Sequence, residues 1–259
     1  MPIEQTTRRR IRQVLRTVVE EKLRAYDPET YHKPFHHRLF GDRRCAIFSF
    51  MHSMNTVLGM SVWKQISSLL ARSGGRDAIM HHQLPGSIDQ ETGSLIERIH
   101  SDLVGEHRTP DCAGETELIR SSIQPSATTA RHPDRRVGLV VKEGGLVHLL
   151  MMKTAKPNKD EFISFKLKLL RWKALALSQN RSAEIAATLV IPYNPYYPGP
   201  YDRWTRGTLF DEQGGELMVG PEFWNSLAGD DVYDDLLSVF QEVGATLQQD
   251  IESAFSGMR

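Results

Sequence analysis

The segment from residue 135 to residue 158, RRVGLVVKEGGLVHLLMMKTAKPN, constrains this chain more than any other stretch. Two apolar runs, 137–141 and 146–152, flank a Lys-Glu-Gly-Gly sequence. Glycine adopts positive φ angles without steric penalty, as tight hairpin turns require. The pattern therefore predicts a β-hairpin whose turn is centred between Gly144 and Gly145.

The second strand of this predicted hairpin is almost entirely apolar and ends in a charge. With the turn centred on the glycines, Val141 lies opposite His148 and Gly138 lies opposite Met151, and opposed side chains share a face. Lys153 joins Met151 on that face, because side chains repeat every second residue. A lysine there needs a stabilising partner, unless this is an ordinary core strand whose terminal lysine reaches the surface.

The arrangement resembles the catalytic frame of PD-(D/E)XK nucleases. In that frame an acid from the first strand, a second acid and a lysine two residues after it converge. The carboxylates hold Mg²⁺, which prefers oxygen ligands, and the lysine orients or activates the attacking water. Here Gly138 and Met151 stand at the two acid positions, and Lys153 stands at the lysine position. The frame is predicted with both metal ligands replaced.

A literal PD sequence, Pro133-Asp134, also precedes the hairpin. Asp134 lies four residues before Gly138, about 13 Å along an extended strand. Pairing Asp134 with Met151 would move the centre of the turn away from the glycines. A bend or bulge could still bring Asp134 to Lys153, so this alternative stays open.

Three stretches carry a wider resemblance: 35–59, 152–172, and 191–244 with its unusual IPYNPYYP run. They are similar to the TdeIII/MjaII-type type II restriction endonucleases, in blocks spread over most of the chain. The resemblance implies an α/β fold with a PD-(D/E)XK restriction-endonuclease-like core, a central mixed sheet flanked by helices, and a helical N-terminal region. It also implies cleavage of double-stranded DNA at a short palindrome of the GGNCC type, with Mg²⁺.

The same resemblance implies a restriction-modification system with a cognate DNA methyltransferase. A palindromic target also favours a homodimer, because a two-fold symmetric site is matched by a two-fold symmetric protein. The family expects acids where Gly138 and Met151 stand, so the alternative is a catalytically inactive descendant that still binds DNA.

Composition adds limits on partners and location. The 32 Lys and Arg residues balance the 32 Asp and Glu residues, so DNA binding needs segregated charges. Arginines cluster within 8–16, lysines within 153–173, and acids in the last thirty residues. The arginines could touch phosphates or form a solvated first turn.

The two cysteines indicate neither a disulfide framework nor a zinc site. The absence of a long apolar run predicts a cytoplasmic protein without a membrane partner.

Hydrophobic periodicity predicts the organisation of the chain. Residues 1–110 are expected to form a helical N-terminal region packed on a nuclease-like core with a C-terminal helix, 111–259, as one compact unit. Within the first region, 78–92 is read as loop or short helix. An apolar stripe within 231–255 is either core or a dimer face.

Further site residues are predicted from these elements. In nucleases of this fold a glutamate on the helix before the sheet can complete the metal site, so the resemblance implies Glu117 as the candidate metal ligand, with a solvated surface glutamate as the alternative. Lys156 and Asn158 follow the hairpin and are expected near a phosphate. His52 and Asn55 are interpreted as buried polar partners instead of site residues.

The proline-rich segment 192–204 is expected to present its side chains on a rigid loop. Asparagine and arginine suit contacts to adenine, guanine and phosphate. Asn194, Arg203 and Arg206 are therefore candidate DNA-binding residues. The alternative is a scaffolding loop that covers the edge of the sheet.

Overall fold

The computed structural model describes residues 3–27, 33–124, 132–202 and 206–257, without the side chains of Met60 and Arg206. Its strands are β1 (Asp77–Gln83), β2 (Arg136–Glu143), β3 (Leu146–Met152), β4 (Glu184–Ile191) and β5 (Leu217–Val219). The helices are α1 (Gln5–Ala25), α2 (Pro34–Phe40), α3 (Asp42–Val57), α4 (Trp63–Ser73), α5 (Gln90–Val104), α6 (Cys112–Ser122), α7 (Lys159–Gln179), α8 (Arg206–Leu209), α9 (Pro221–Ala228), α10 (Tyr233–Thr246) and α11 (Gln248–Gly257).

The strands form one mixed sheet in the order β1-β2-β3-β4-β5. β1, β2 and β3 pair antiparallel, whereas β4 and β5 continue the sheet in parallel. Helix α7 makes the crossover from β3 to the parallel strand β4, as a parallel connection requires. The predicted α/β architecture with a mixed central sheet is confirmed.

The hairpin forms in the predicted register over most of its length. Val141 pairs with His148, and the ladder continues to the turn at Gly144 and Gly145. Both glycines have positive φ, 55° and 97°, which explains why this turn needs them.

Each face of the sheet carries its own hydrophobic cluster. One lies against α5, α6 and α7 and contains Leu149, Phe162 and Trp172. The other lies against α1, α4, α9 and α10 and contains Leu139, Leu150 and members of the apolar stripe predicted within 231–255. The core alternative for that stripe is confirmed at Val232, Leu236, Val243 and Leu247, which are buried in this second cluster.

The interpretation of 78–92 as loop or short helix was wrong for its first part, because Asp77–Gln83 is the strand β1. Its sequence, DAIMHHQ, contains few apolar residues, and its pairing partner β2 lies far away along the chain. The helix that directly precedes the sheet is consequently α4. The division at residue 110 remains a prediction about folding units.

The N-terminal arginines have a role that neither predicted alternative included. Arg8 pairs with Asp235 and Glu242, and Arg12 Nε donates to Glu242 Oε2 at 2.7 Å. These ion pairs join α1 to α10, so part of the basic cluster neutralises part of the acidic C-terminal region. Among the described helices, none is long and apolar enough to span a membrane.

Candidate nucleic-acid site

The two hairpin strands separate before they reach the predicted acid positions. Their last paired residues are Leu139 and Leu150, so the expected pair of Gly138 with Met151 does not form. Val137 packs in the same cluster as Met151, whereas Leu139 packs in the other. Regular alternation would place Val137 and Leu139 on one face, so the strand is irregular at Gly138.

A lysine from α4 lies beside Gly138. A Cβ atom added to this glycine would lie 3.4 Å from Cε of Lys64 and 3.8 Å from the carbonyl oxygen of Leu150. The half-buried position of Lys64 is the main cause that lowers the pKa of its ammonium, and Arg136 adds to the effect. No pattern in the sequence pointed to Lys64 as a site residue. Recognising β1 as a strand would have identified α4 as the helix before the sheet.

Lys153 lies directly after β3. Its backbone N–H donates to the carbonyl of Val190 at 2.9 Å, and its ammonium lies 4.4 Å from the ring centre of Phe165. Burial is the largest cause that lowers the pKa of Lys153. The charges of Lys168 and Lys64 lower this pKa further, while Glu161 opposes them. The charges of Lys64, on α4, and Lys168, on α7, thus both act on Lys153.

The residues at the two predicted acid positions do not fit Mg²⁺. Gly138 has no side chain, and Met151 is only 4% exposed, within the cluster that includes Phe165. A methionine thioether is a soft ligand, whereas Mg²⁺ requires oxygen. Across the described parts of the chain, no group of three or more His, Cys, Asp or Glu residues could hold a metal ion.

Asp134, the acid of the literal PD reading, is bound by cations of α7. It lies in a 3-10 turn at Pro133–Arg135, and its Oδ2 accepts a hydrogen bond from Arg171 at 2.6 Å. Its other oxygen lies 3.9 Å from the ammonium of Lys168. The indole of Trp172 donates to its backbone carbonyl at 2.7 Å. These contacts join the start of β2 to α7.

The structure does not bring Glu117 to Lys153, so its expected place in the site was wrong. Glu117 lies on α6 and accepts a hydrogen bond from Arg120 at 3.2 Å. Arg120 also donates to the carbonyl of Ala183, directly before β4 begins. Lys153 bonds to Val190 near the other end of β4, roughly 20 Å away along the strand. The error followed from missing β1, which lies between α4 and α6.

Two of the candidate DNA-binding residues use their side chains within the protein. The Asn158 side chain caps α7 by accepting from the backbone N–H of Glu161 at 2.9 Å, and the Glu161 carboxylate accepts from the Asn158 N–H at 2.7 Å. The Asn194 amide donates to the Gly199 carbonyl at 2.8 Å and accepts from the Tyr196 N–H at 2.9 Å. For Asn194 these bonds favour the scaffolding alternative.

The other three candidates differ in how far the structure describes them. Lys156 is exposed, and its ammonium lies 5.2 Å from the ring centre of Tyr196. Arg203 lies outside the described residues. Arg206 begins α8, and its side chain is also outside the described part.

A cleft of about 350 Å³ adjoins the end of the hairpin. Its walls come from α3, the start of α4, the loop after β3 and the proline-rich segment; they include His52, Asn55, Trp63, Thr154 and Tyr193. The interpretation of His52 and Asn55 as buried partners was wrong, because both are exposed in this cleft. They line the same cleft as Thr154 and Lys156, which lie one and three residues after Lys153.

A mixed sheet with an antiparallel hairpin, a crossover helix, a parallel strand and a lysine at the end of the hairpin defines a restriction-endonuclease-like α/β protein. A family model described as "Type II restriction endonuclease, HinfI" matches residues 3–244. The chain therefore belongs to this family of type II restriction endonucleases.

Individual relatives agree with this assignment. The type II restriction enzyme HgiEI of Herpetosiphon aurantiacus is 24% identical over 97% of this chain and 98% of its own length. HgiBI of the same organism is 23% identical over 97% and 98%. MjaII of Methanocaldococcus jannaschii is 21% identical over 72% of this chain and 51% of its own length. No solved structure matches. The predicted resemblance is confirmed and extends over nearly the whole chain.

Proposed function

We propose that this protein binds double-stranded DNA and does not hydrolyse phosphodiesters at the end of its hairpin. One observation carries the second half of the proposal. Neither residue at the expected acid positions offers an oxygen ligand, and the stem of Lys64 lies beside the first position. Membership of a restriction endonuclease family supports DNA as the partner.

The size of the expected rate loss supports a binding role. Removing one donor that stabilises a transition state costs about 10²- to 10³-fold in rate. Losing both carboxylates of a metal clamp should cost more, because no divalent cation then offsets the charge that develops on the phosphate. Lys153 alone could orient a phosphate or a water molecule but could not replace that cation.

The finer features follow from the family resemblance. We propose a short palindromic target of the GGNCC type, recognised by a homodimer in the cytoplasm, in a system that also contains a DNA methyltransferase. Two chains of 29.4 kDa would match the two halves of the palindrome. Sedimentation of the protein with a palindromic duplex would test this stoichiometry, and one chain per duplex would contradict it.

The second candidate is a Mg²⁺-dependent nuclease of the same specificity. The match to type II restriction enzymes over almost the full chain favours it. It would require a different carboxylate to hold the metal, and Asp134 would first have to leave Arg171.

The first test is cleavage of a plasmid containing GGNCC sites in the presence of Mg²⁺. The native chain should leave the plasmid intact, whereas a Gly138→Asp, Met151→Glu variant should gain cleavage. A triple variant that adds Lys64→Met should be tested in parallel, because Lys64 could pair with a new aspartate. Adding Lys153→Met to an active variant should abolish its cleavage.

Cleavage by the native chain at a rate comparable with the restored variants would contradict the proposal. Another carboxylate would then hold the metal. Binding of the same sites is measured separately by gel shift. Failure of the native chain to bind any duplex, with or without Mg²⁺, would refute its DNA-binding role.

A further inference from the structure

We propose that α3 is the helix that reads the DNA sequence. It lies in the major groove, where His52 and Asn55 contact base edges and Arg43 and Arg44 contact phosphates. The inference rests on the proposed DNA binding and adds to it the element and the residues that recognise the sequence.

The way in which α3 is anchored to the protein is the first argument. Phe50 is the buried residue of this helix, and its ring packs edge-to-face against Tyr26 and Phe255, with ring centres 5.2 and 5.3 Å apart. At about 100° per residue, His52 and Asn55 lie roughly 160° and 140° around the helix from Phe50. Both are exposed. The helix therefore presents these two side chains on the face opposite its anchor.

The second argument is that polar groups on this face are available to a ligand. His52, Asn55 and Thr56 follow helical spacing and line the 350 Å³ cleft together with Thr154 and Tyr193. Within the described residues, neither the imidazole of His52 nor the amide of Asn55 makes a hydrogen bond or an ion pair. A base edge in the cleft could therefore bind both groups without breaking a contact inside the protein.

The chemistry of these side chains suits base edges. A side-chain amide carries two donors and an acceptor, and a neutral imidazole offers one of each. Each base pair presents a distinct pattern of donors and acceptors in the major groove, which is wide enough for an α-helix. Asn158 and Asn194, the amides first predicted to lie near DNA, are bonded within the protein. Among the residues that line the cleft, Asn55 supplies the amide instead.

The third argument is charge. Segment 33–57 contains four Lys and Arg residues and one acid, Asp42, in a chain whose charges balance overall. The Asp42 carboxylate lies 2.6 Å from Nδ1 of His37. Neither Arg43 nor Arg44 forms an ion pair within the described part of the chain. Unlike α1, whose arginines pair with α10, the region of α3 therefore has the segregated positive charge that attracts a polyanion.

Two apolar side chains extend the same exposed side of α3. Phe48 is 69% exposed and lies one turn before His52, and Met51 is 48% exposed and lies one turn before Asn55. Large apolar side chains left exposed together mark interaction sites. In a DNA groove they would contact thymine methyl groups. The occupant that charge favours is thus DNA, and a second copy of this chain is the competing one.

The test measures sequence preference separately from affinity. The native protein first selects its preferred site from a pool of duplexes with a randomised segment. Fluorescence anisotropy, with and without Mg²⁺, then gives the ratio of its affinities for that site and for a scrambled duplex. Asn55→Ala and His52→Ala should each lower this ratio about tenfold, the size of one lost base contact, because the scrambled duplex never made that contact.

Arg44→Met should behave differently, because a phosphate contact carries no sequence information. It should weaken binding to both duplexes and reduce the slope of log K against log salt by about one. Arg44→Lys keeps the charge and should retain the native slope. Asn55→Ala should also leave the slope unchanged, since it removes no charge.

Two variants outside α3 serve as matched controls. Gln13→Ala removes an exposed amide from α1, and Arg98→Met removes an exposed guanidinium from α5. Both should leave the affinity ratio and the salt slope at their native values. Circular dichroism verifies folding, and Asn55→Ser replaces the alanine variant if that variant does not fold.

The outcomes separate this inference from the proposed function. If the native protein binds DNA without a preferred sequence, or if the Asn55 and His52 variants keep the native ratio, the reading role of α3 is refuted and DNA binding stands. If Phe48→Ser separates a native dimer into monomers while the ratio is unchanged, this face binds a second copy and the inference also fails. If the native protein binds no duplex, both proposals fail.

Discussion

At the scale of single residues, two buried lysines of α7 show how strongly this fold depends on charge pairing. The ammonium of Lys166 lies 2.7 Å from Glu115 Oε2 and 2.6 Å from Glu216 Oε2, and Lys173 lies 3.3 Å from Glu216 Oε1. All four side chains are fully buried. The group joins α6, α7 and the segment before β5, and each charge depends on its partners.

Lys166→Met should lower the free energy of unfolding by about 3–5 kcal/mol at neutral pH, because it leaves buried carboxylates with fewer partners. Urea denaturation measures this loss. Lys159→Met, at the exposed start of the same helix, is the matched control and should change the free energy by less than about 0.5 kcal/mol. An equal, small effect of both variants would show that Lys166 does not stabilise the fold.

The penalty of Lys166→Met should also depend on pH. Burial raises the pKa of Glu115 above its ordinary value, and Lys166 is the largest influence that lowers it. Without Lys166 the pKa of Glu115 in the folded chain rises further. The variant therefore loses stability as the pH increases towards that raised pKa. Below about pH 4, Glu115 is protonated in both folded and unfolded chains, and its part of the penalty disappears. A penalty that stays constant from pH 4 to pH 8 would contradict this explanation.

At the scale of secondary structure elements, a capping box fixes the junction between the loop after Lys153 and helix α7. Asn158 and Glu161 form a reciprocal capping box, with bonds of 2.9 and 2.7 Å. This box satisfies backbone N–H groups that have no partner within the helix. The Asn158 side chain, which was predicted to lie near a DNA phosphate, therefore also fixes the start of helix α7.

Replacing Asn158 with alanine should cost about 1 kcal/mol of unfolding free energy, and replacing it with serine should restore most of that loss, because serine also caps helices well. Thermal and urea denaturation measure both variants. DNA affinity should be measured at a temperature at which both variants are fully folded. It should change little if Asn158 acts only as a helix cap. A large loss of affinity in the serine variant, without loss of stability, would instead assign Asn158 a direct DNA contact.

At the scale of the whole molecule, the N-terminal third does not simply rest against the sheet. β1 pairs with β2, and α4 covers the face that contains Leu139. Helix α1 contributes Ile11 and Leu15 to the same cluster and pairs its arginines with acids of α10. Helices α1 and α10, which lie near opposite ends of the described chain, are therefore part of one core.

The 259-residue chain should accordingly unfold in a single transition. Far-UV circular dichroism and tryptophan fluorescence should give the same urea midpoint, because Trp172 and Trp224 report on opposite clusters. A fragment of residues 111–259 should not fold cooperatively, since it lacks β1, α4 and α1. Two separate midpoints, or a stably folded fragment, would instead support a domain boundary near residue 110.

Local patterns determined the parts of this protein that depend on neighbouring residues. The Gly144-Gly145 turn, the register beside it, the crossover helix and the position of Lys153 could all be predicted, because each follows from turn geometry or periodicity within a short segment. The residues at the two predicted acid positions, Gly138 and Met151, were equally visible in the sequence.

Only the tertiary structure decided which distant residues meet. It placed Lys64 beside Gly138, added β1 to the sheet, and paired Arg8 with Asp235, 227 residues away. It also moved Glu117 out of the site. Such contacts depend on which helices pack on each face of the sheet. No periodic pattern within a short segment specifies those helices. The neighbour of Gly138 and the partners of Arg8 therefore became apparent only when these elements were seen packed together.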